Sequence, residues 1–207
     1  MEEEIDLHYI QKNLDRQFEK SLEGLQRVRD IVKNLRDFAR LDEAEFKEAD
    51  LNAALESTVE ILRYEIKKKE IQTETQFQEL PPVLCHPGKI NQVFLNLLMN
   101  AVQACEPGGR IDIRSFPHPT GTPPFAGEGQ GERSVVVEIE DNGSGIPPEH
   151  LPRVFDPFFT TKPVGQGTGL GLSVSYGIIR DHGGSIEVDS APGRGSIFRI
   201  RLPVRPR

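Results

Sequence analysis

The segment 89–105 constrains the fold more than any other part of the chain. Its apolar positions Val93, Leu97, Leu98 and Val102 recur at helical spacing, so it reads as a helix with one face that a sheet must cover. Asn96 and Asn100, four residues apart, project together from that helix. Asparagine competes with the backbone for hydrogen bonds and is a poor interior helix former, so a repeated asparagine on one face needs a partner. Two kinds of partner fit: phosphate or Mg²⁺ from outside, or neighbouring loops that the amides cap.

The surroundings of this helix read as strands and turns. Residues 71–77 alternate apolar and polar side chains as a half-buried strand does, and Pro81-Pro82 breaks the pattern. Pro107-Gly108-Gly109 ends the helix, and strands are expected at 110–116 and 134–140. Between them, 117–133 is rich in Pro, Gly and Thr with Phe125 as its one large apolar residue, which reads as a mobile hairpin loop. A helix at 169–182 and strands at 185–190 and 196–202 complete an α/β order around one mixed sheet.

Upstream, Leu14, Phe18, Leu25, Val28, Val32, Leu35 and Ala39 step by threes and fours or sums of them among charged residues, the pattern of a helical seam. Leu22, Ile31 and Phe38 widen the stripe. Such a face suits a four-helix bundle built from two chains, and equally a helix folded back on its own domain. Asp50-Leu51-Asn52 then reads as the cap of a second amphipathic helix through Val59, Ile61, Leu62 and Ile66 to Lys67-Lys68-Lys69. The chain is thus divided into a helical segment, 1–48, and an α/β domain, 49–207.

Composition removes several classes. No apolar run approaches the roughly 20 residues that span a bilayer, and the opening Met-Glu-Glu-Glu-Ile has no signal-peptide character, so the chain is expected in the cytoplasm without membrane contact. Cys85 and Cys105 have neither paired spacing nor a histidine cluster, and are expected as reduced thiols. A net charge of −7 argues against nucleic acid, whose phosphates need clustered Lys and Arg. Any phosphate recognition must be local.

Three further elements carry chemistry. The strand at 134–140 runs into Asp141-Asn142-Gly143-Ser144-Gly145-Ile146-Pro147, which places a carboxylate before a tight turn. Gly143 and Gly145 let backbone approach a planar ligand, and Asp141 accepts from an exocyclic amine such as that of adenine; alone, the motif is equally a turn that Asp141 stabilises. Gly165-Gln166-Gly167-Thr168-Gly169-Leu170-Gly171-Leu172 opens into an amphipathic helix, a geometry in which bare amides and the helix dipole receive anionic oxygens. It is neither a Walker loop nor a Rossmann turn. Phe155, Phe158, Phe159 and Lys162 lie in a Pro-broken segment, where the rings either clasp a movable loop or fill the core, and Lys162 can reach a terminal phosphate.

Taken in order, Asn96-x-x-x-Asn100-Ala, Asp141-x-Gly-x-Gly, the 155–162 run, Gly167-x-Gly-Leu-Gly-Leu and Gly193-x-Gly-Ser-x-Phe resemble the N, G1, F, G2 and G3 boxes of sensor histidine kinases. The match covers about 50–203, and 28–40 resembles the second helix of that family's dimerisation and phosphotransfer domain. The resemblance implies a two-layer α/β sandwich of the Bergerat type, a mixed sheet covered by helices and preceded by a long helix. It implies that 1–48 forms a homodimer and that 49–207 is the ATP-binding catalytic domain. By the same resemblance Asn100 ligates Mg²⁺ with Asn96 beside it near the phosphates, and Asp141 reads the adenine amino group. Gly143, Gly145 and Ile146 shape the adenine pocket; Gly167, Thr168, Gly169, Leu170 and Gly171 line the triphosphate. Lys162 approaches the γ-phosphate, and Ser196 stands where the family more often has Thr. The implied partners are an acceptor-histidine helix and a response regulator.

Two departures stand out. His86-Pro87 replaces the more usual Asp-Pro, an exchange expected to be mild. The family's acceptor His followed by Glu or Asp is missing: none of the five histidines, His8, His86, His118, His150 and His182, precedes an acid, so the acceptor helix is expected outside this sequence. Rival readings are a water-activating ATPase of the gyrase, mismatch-repair or chaperone kind and a nucleotide-gated scaffold. The ATPases carry a Glu one turn before the metal-binding Asn, where this chain has Asn96, an amide that cannot take a proton at neutral pH.

Overall fold

In the computed structural model, which describes residues 14, 17, 45–118, 133–162 and 167–206, the chain runs β1 (Lys47–Ala49), α1 (Leu51–Ile61), α2 (Arg63–Lys68), β2 (Gln72–Phe77), β3 (Val83–Cys85) and α3 (Pro87–Ala104). It continues through β4 (Arg110–His118), β5 (Ser134–Asp141), a 3₁₀ turn (Leu151–Arg153), α4 (Gly171–Asp181), β6 (Ser185–Ala191) and β7 (Gly195–Pro203). Five strands make one mixed sheet in the order β2-β4-β5-β7-β6, with β2 parallel to β4 and the other pairs antiparallel.

The sheet is two-faced because its strands alternate. Ile111 and Ile113 of β4, Val135, Val137 and Ile139 of β5 and Phe198, Ile200 and Leu202 of β7 are buried and join one core with the helices. The opposite row carries charge: Arg114 pairs with Glu140 at 2.9 Å and Arg199 with Glu138 at 2.8 Å. The helices therefore form one layer on one face, an α+β arrangement in agreement with the sequence reading.

α3 is the keel of the helical layer. It buries Ile90, Val93, Phe94, Leu97, Leu98, Ala101 and Val102 against β5, α1 and α4. Each large apolar side chain buried this way is worth roughly 1.5–3 kcal/mol, against at most about 0.7 kcal/mol for each asparagine in a helix interior. Packing decides, and the two amides ride along. The far end of α3 is closed by Lys69, whose Nζ donates to the carbonyls of Val102, Gln103 and Cys105 at 3.0, 3.2 and 2.8 Å. That places a cation on the negative end of the helix dipole.

Three features differ from the sequence reading. The helix expected from 51 to 69 is broken at Leu62 into α1 and α2; Thr58 Oγ1 donates back to Ala54 O at 2.7 Å, a bond that bends helices. β1 and β3 pair antiparallel as a separate two-stranded ribbon, with Lys47 opposite Cys85. β4 extends through Pro117 and His118, which pair with Val135 and Ser134. Of the long helix expected at 14–39, only Leu14 and Gln17 are described, both helical, and the loop residues 119–132 lie outside the described residues. No helix among the described residues is long and apolar enough to cross a membrane. Cys85 and Cys105 are buried, unpaired thiols.

The start of α3 is tied to the end of α4 by a histidine. His182 Nδ1 donates to Ile178 O at 2.7 Å, which leaves Nε2 to accept the His86 N–H at 3.0 Å. The ring is therefore neutral, and it is 1% exposed. Phe46 and His86 flank it, with ring centroids at 5.4 Å each, and His86, Lys89 and Asp181 are the groups whose charge acts on it. Burial pushes the His182 pKa below its usual 6.5. A group depressed in the folded state stabilises fully above its unfolded pKa, and that stability is lost as pH falls through the folded one. We expect the melting temperature to drop as pH is lowered below about 6.5, and to drop less in His182→Gln; identical pH profiles for the two proteins would assign the loss to other groups.

Candidate functional site

A cleft of about 570 Å³ opens between α3, the end of β5, the start of β7 and the start of α4, a size suited to a small molecule. Of the residues singled out in the sequence, Asn96, Asn100, Asp141, Gly145, Ile146, Lys162, Gly167, Thr168, Gly169, Leu170, Gly171 and Ser196 all line it. Gly143 does not. It sits behind the wall, where an added Cβ would lie 2.5 Å from the backbone of Ala104, so its smallness lets the loop pack on α3 and does not serve the cleft directly.

One end is built around Asp141, which β5 carries to the cleft as its last residue, opposite Ser196 of β7. Asp141 is 4% exposed, and its Oδ1 accepts the Gly143 N–H at 2.8 Å. Burial raises its pKa, and hydrogen bonds from the backbone of Gly143 and Ser196 pull it back down. The turn beyond has no room for side chains. Gly145 adopts φ +69°, and a Cβ there would lie 2.0 Å from Ala191 O; Gly195, at φ +80°, would put one 1.8 Å from Asp141 O. Ser190 ties the two turns together: its Oγ receives the Ile146 N–H at 2.8 Å, donates to Gly195 O at 2.7 Å and sits 2.9 Å from Ser196 Oγ.

The other end is built on α3 and the start of α4. Asn96 Nδ2 donates to Gly171 O at 3.1 Å and lies 3.3 Å from Ser175 Oγ, so this amide fastens the two helices while bordering the cleft. Asn100, one turn on, presents Oδ1 to Lys162 Nζ at 3.1 Å, and Gln103 Oε1 accepts from the same ammonium. Burial draws the Lys162 pKa below the usual ammonium range. Among the described lining residues Lys162 is the one base and Asp141 the one acid, and they come from opposite ends of the cleft. Gly171 begins an 11-residue helix whose N-terminus adds the positive end of its dipole.

The three phenylalanines have different settings, and Phe155 packs against the core. Phe158 is 64% exposed at φ +66°, and its backbone N–H donates to Gly169 O at 2.9 Å. Phe155 rests on Tyr176 of α4, and Phe159 lines the cleft beneath the Arg153 guanidinium. Sequence reasoning missed Gln103, which its step of three from Asn100 reveals, and Ser190, whose role depends on the β6–β7 register and leaves no local signal. His86, at the N-cap of α3, makes no side-chain cap bond, and the helix starts on Pro87 instead.

The donor set suits Mg²⁺ held jointly with phosphate. Asn100 Oδ1 is a neutral oxygen on the cleft wall, 3.1 Å from the Lys162 ammonium, that would hold the ion together with substrate phosphates, and among the described residues no group of three or more His, Cys, Asp or Glu could hold a metal ion. Mg²⁺ binds in this way, through few protein oxygens together with substrate phosphates.

Comparison with known proteins agrees with the geometry. Residues 85–206 match the family of histidine kinase-, DNA gyrase B-, and HSP90-like ATPases. Sensor kinase CckA of Brucella abortus (strain 2308) is 37% identical over 184 residues, which cover 87% of this chain and 19% of that protein. The nucleotide-free catalytic domain of histidine kinase ThkA superposes with a TM-score of 0.66 at 33% identity, over 78% of this chain and 97% of that one. ThkA crystallised with response regulator protein TrrA matches all of this chain and 53% of that one, with a TM-score of 0.70 at 28% identity. The chain spans between 19% and 36% of the length of the curated relatives it matches. The resemblance drawn from the five ordered motifs is thereby met: the chain belongs to the histidine kinase-, DNA gyrase B-, and HSP90-like ATPase family and carries the ATP-binding catalytic domain of a sensor histidine kinase.

Proposed function

We propose that the cleft holds Mg·ATP and donates the γ-phosphoryl group to a histidine on a dimerisation and phosphotransfer domain, in two-component signalling that a response regulator completes. The observation that carries this reading is the polarity of the cleft, with a buried carboxylate at one end and amides, an ammonium and a helix N-terminus at the other. Asp141 accepts from the adenine amine, with Gly145, Ile146 and Ser196 around the ring. Asn100 holds Mg²⁺, which neutralises phosphate charge when bound. Lys162 faces the terminal phosphate, while Thr168, Gly169 and Leu170 flank the triphosphate. Catalysis then rests on alignment and charge neutralisation more than on proton transfer.

The engagement of Asn96 with Gly171 and Ser175 supports phosphotransfer over water activation, because that position offers an anchored amide and no base. The segment 1–48 is proposed as the dimerising element preceding the catalytic domain 49–207.

Asn100→Ala is expected to weaken Mg-dependent ATP binding at least about tenfold without lowering the melting temperature, since the lost ligand faces the cleft. Calorimetry showing wild-type Mg·ATP affinity in the folded variant would remove Asn100 from the site. Asp141→Asn, which offers a donor where the amine needs an acceptor, is expected to narrow the preference for ATP over GTP by at least about tenfold. An unchanged ratio would sink the adenine assignment. The chain as given is expected to bind ATP without phosphorylating itself on histidine, because none of its five histidines precedes an acid that would orient the ring. An acid-labile, alkali-stable phosphate on His8, lost in His8→Ala, would reverse this.

A further inference from the structure

The cation of this cleft comes from a loop and is received by a helix. Gln92, Asn96, Asn100 and Gln103 follow one another along α3 at steps of four, four and three residues, and all four border the cleft. None of them carries charge. Lys162 supplies it from across the cleft, with its backbone N–H held by Thr160 Oγ1 at 3.2 Å and its Nζ shared between Asn100 and Gln103. A lysine side chain is a flexible stem with a strongly hydrated point charge at its end. A single acceptor leaves that charge free to wander, whereas two acceptors three residues apart on one helix face, Asn100 half-buried and Gln103 exposed, give it one address. The backbone of Gln103 is fixed through the Lys69 cap at the end of α3.

We infer that Gln103 is a positioning residue: it holds the Lys162 ammonium beside Asn100, so that the outermost phosphate of a bound nucleotide meets a cation already in place. This inference rests on the reading of the cleft as a Mg·ATP site. It assigns Gln103 an effect on the terminal phosphate alone. The adenine end, built on β5 and β7, does not share these groups, so affinity for ADP should hardly change.

The test is a double-mutant cycle read by calorimetry with ATP and ADP in Mg²⁺ buffer, on the wild type, Gln103→Met, Lys162→Met and the two combined. Methionine keeps the length of Gln103 and removes its acceptor, and ADP binding reports that each variant is folded. Lys162→Met is expected to reduce the preference for ATP over ADP about tenfold, as the loss of a charge-assisted bond to phosphate does. Gln103→Met should reduce it about threefold in the wild type, a partial share of the same bond, and should have no effect when Lys162 is already Met. Gln103→Lys in the Lys162→Met protein should restore the preference, because the ammonium then reaches the same place from the helix. A Gln103→Met effect of equal size in both backgrounds, or one that weakens ADP and ATP alike, overturns the inference. A wild-type chain that binds neither nucleotide overturns the underlying reading of the cleft.

Discussion

Burial of the apolar face of α3 is the interaction on which the rest of the domain depends. Once Val93, Phe94, Leu97 and Leu98 are committed to the sheet, the helix cannot rotate without exposing them, and its other side is fixed in direction. The amide stripe then faces the cleft as a geometric consequence. The helix is also held along its length: a histidine at its start, Lys69 at its end, and Asn96 bridging to α4 midway. A stripe of neutral amides thereby acquires a fixed geometry along the cleft, as the proposed metal and phosphate site requires.

The two ends of the cleft are made in different ways. At the Asp141 end the groups belong to adjacent strands, so the β5–β7 register sets the carboxylate against Ser196 and crosslinks it to the neighbouring turns through Ser190. At the phosphate end the groups come from a helix face, a loop side chain and a helix N-terminus, joined mainly through side chains. In the proposed reading, base recognition is thus part of the sheet itself, while charge recognition is assembled on top of it.

Much of this was legible in the sequence because the informative signals are local. The period of α3 located the helix within two residues at each end, and the resemblance carried by the ordered motifs, more than any spacing alone, pointed to Asp141 and Gly171, which line the cleft. What was not legible depends on partners distant in sequence. Lys47-Glu48-Ala49 has no strand pattern, and becomes a strand because Val83–Cys85 lies beside it. The break at Leu62 follows the backward bond of Thr58 to Ala54 O, a local side-chain bond that composition does not announce. A glycine in a turn looks the same in sequence whether it makes room for a ligand or for a helix, and at Gly143 it is the Ala104 backbone that an added Cβ would meet, at 2.5 Å.

The glycine contacts also bear on how this site can change over generations. Surface turns ordinarily absorb substitution and insertion because their side chains point to water. Here the turns at Gly145 and Gly195 press backbone against backbone, so even one methyl group meets a carbonyl oxygen at 2.0 or 1.8 Å. These loops accordingly have less freedom to vary than the hydrophobic core, where Val, Ile and Leu exchange with modest repacking. Drift in such a domain is expected to accumulate on the charged face of the sheet and in its connections, while the irregular segments around the cleft stay as they are.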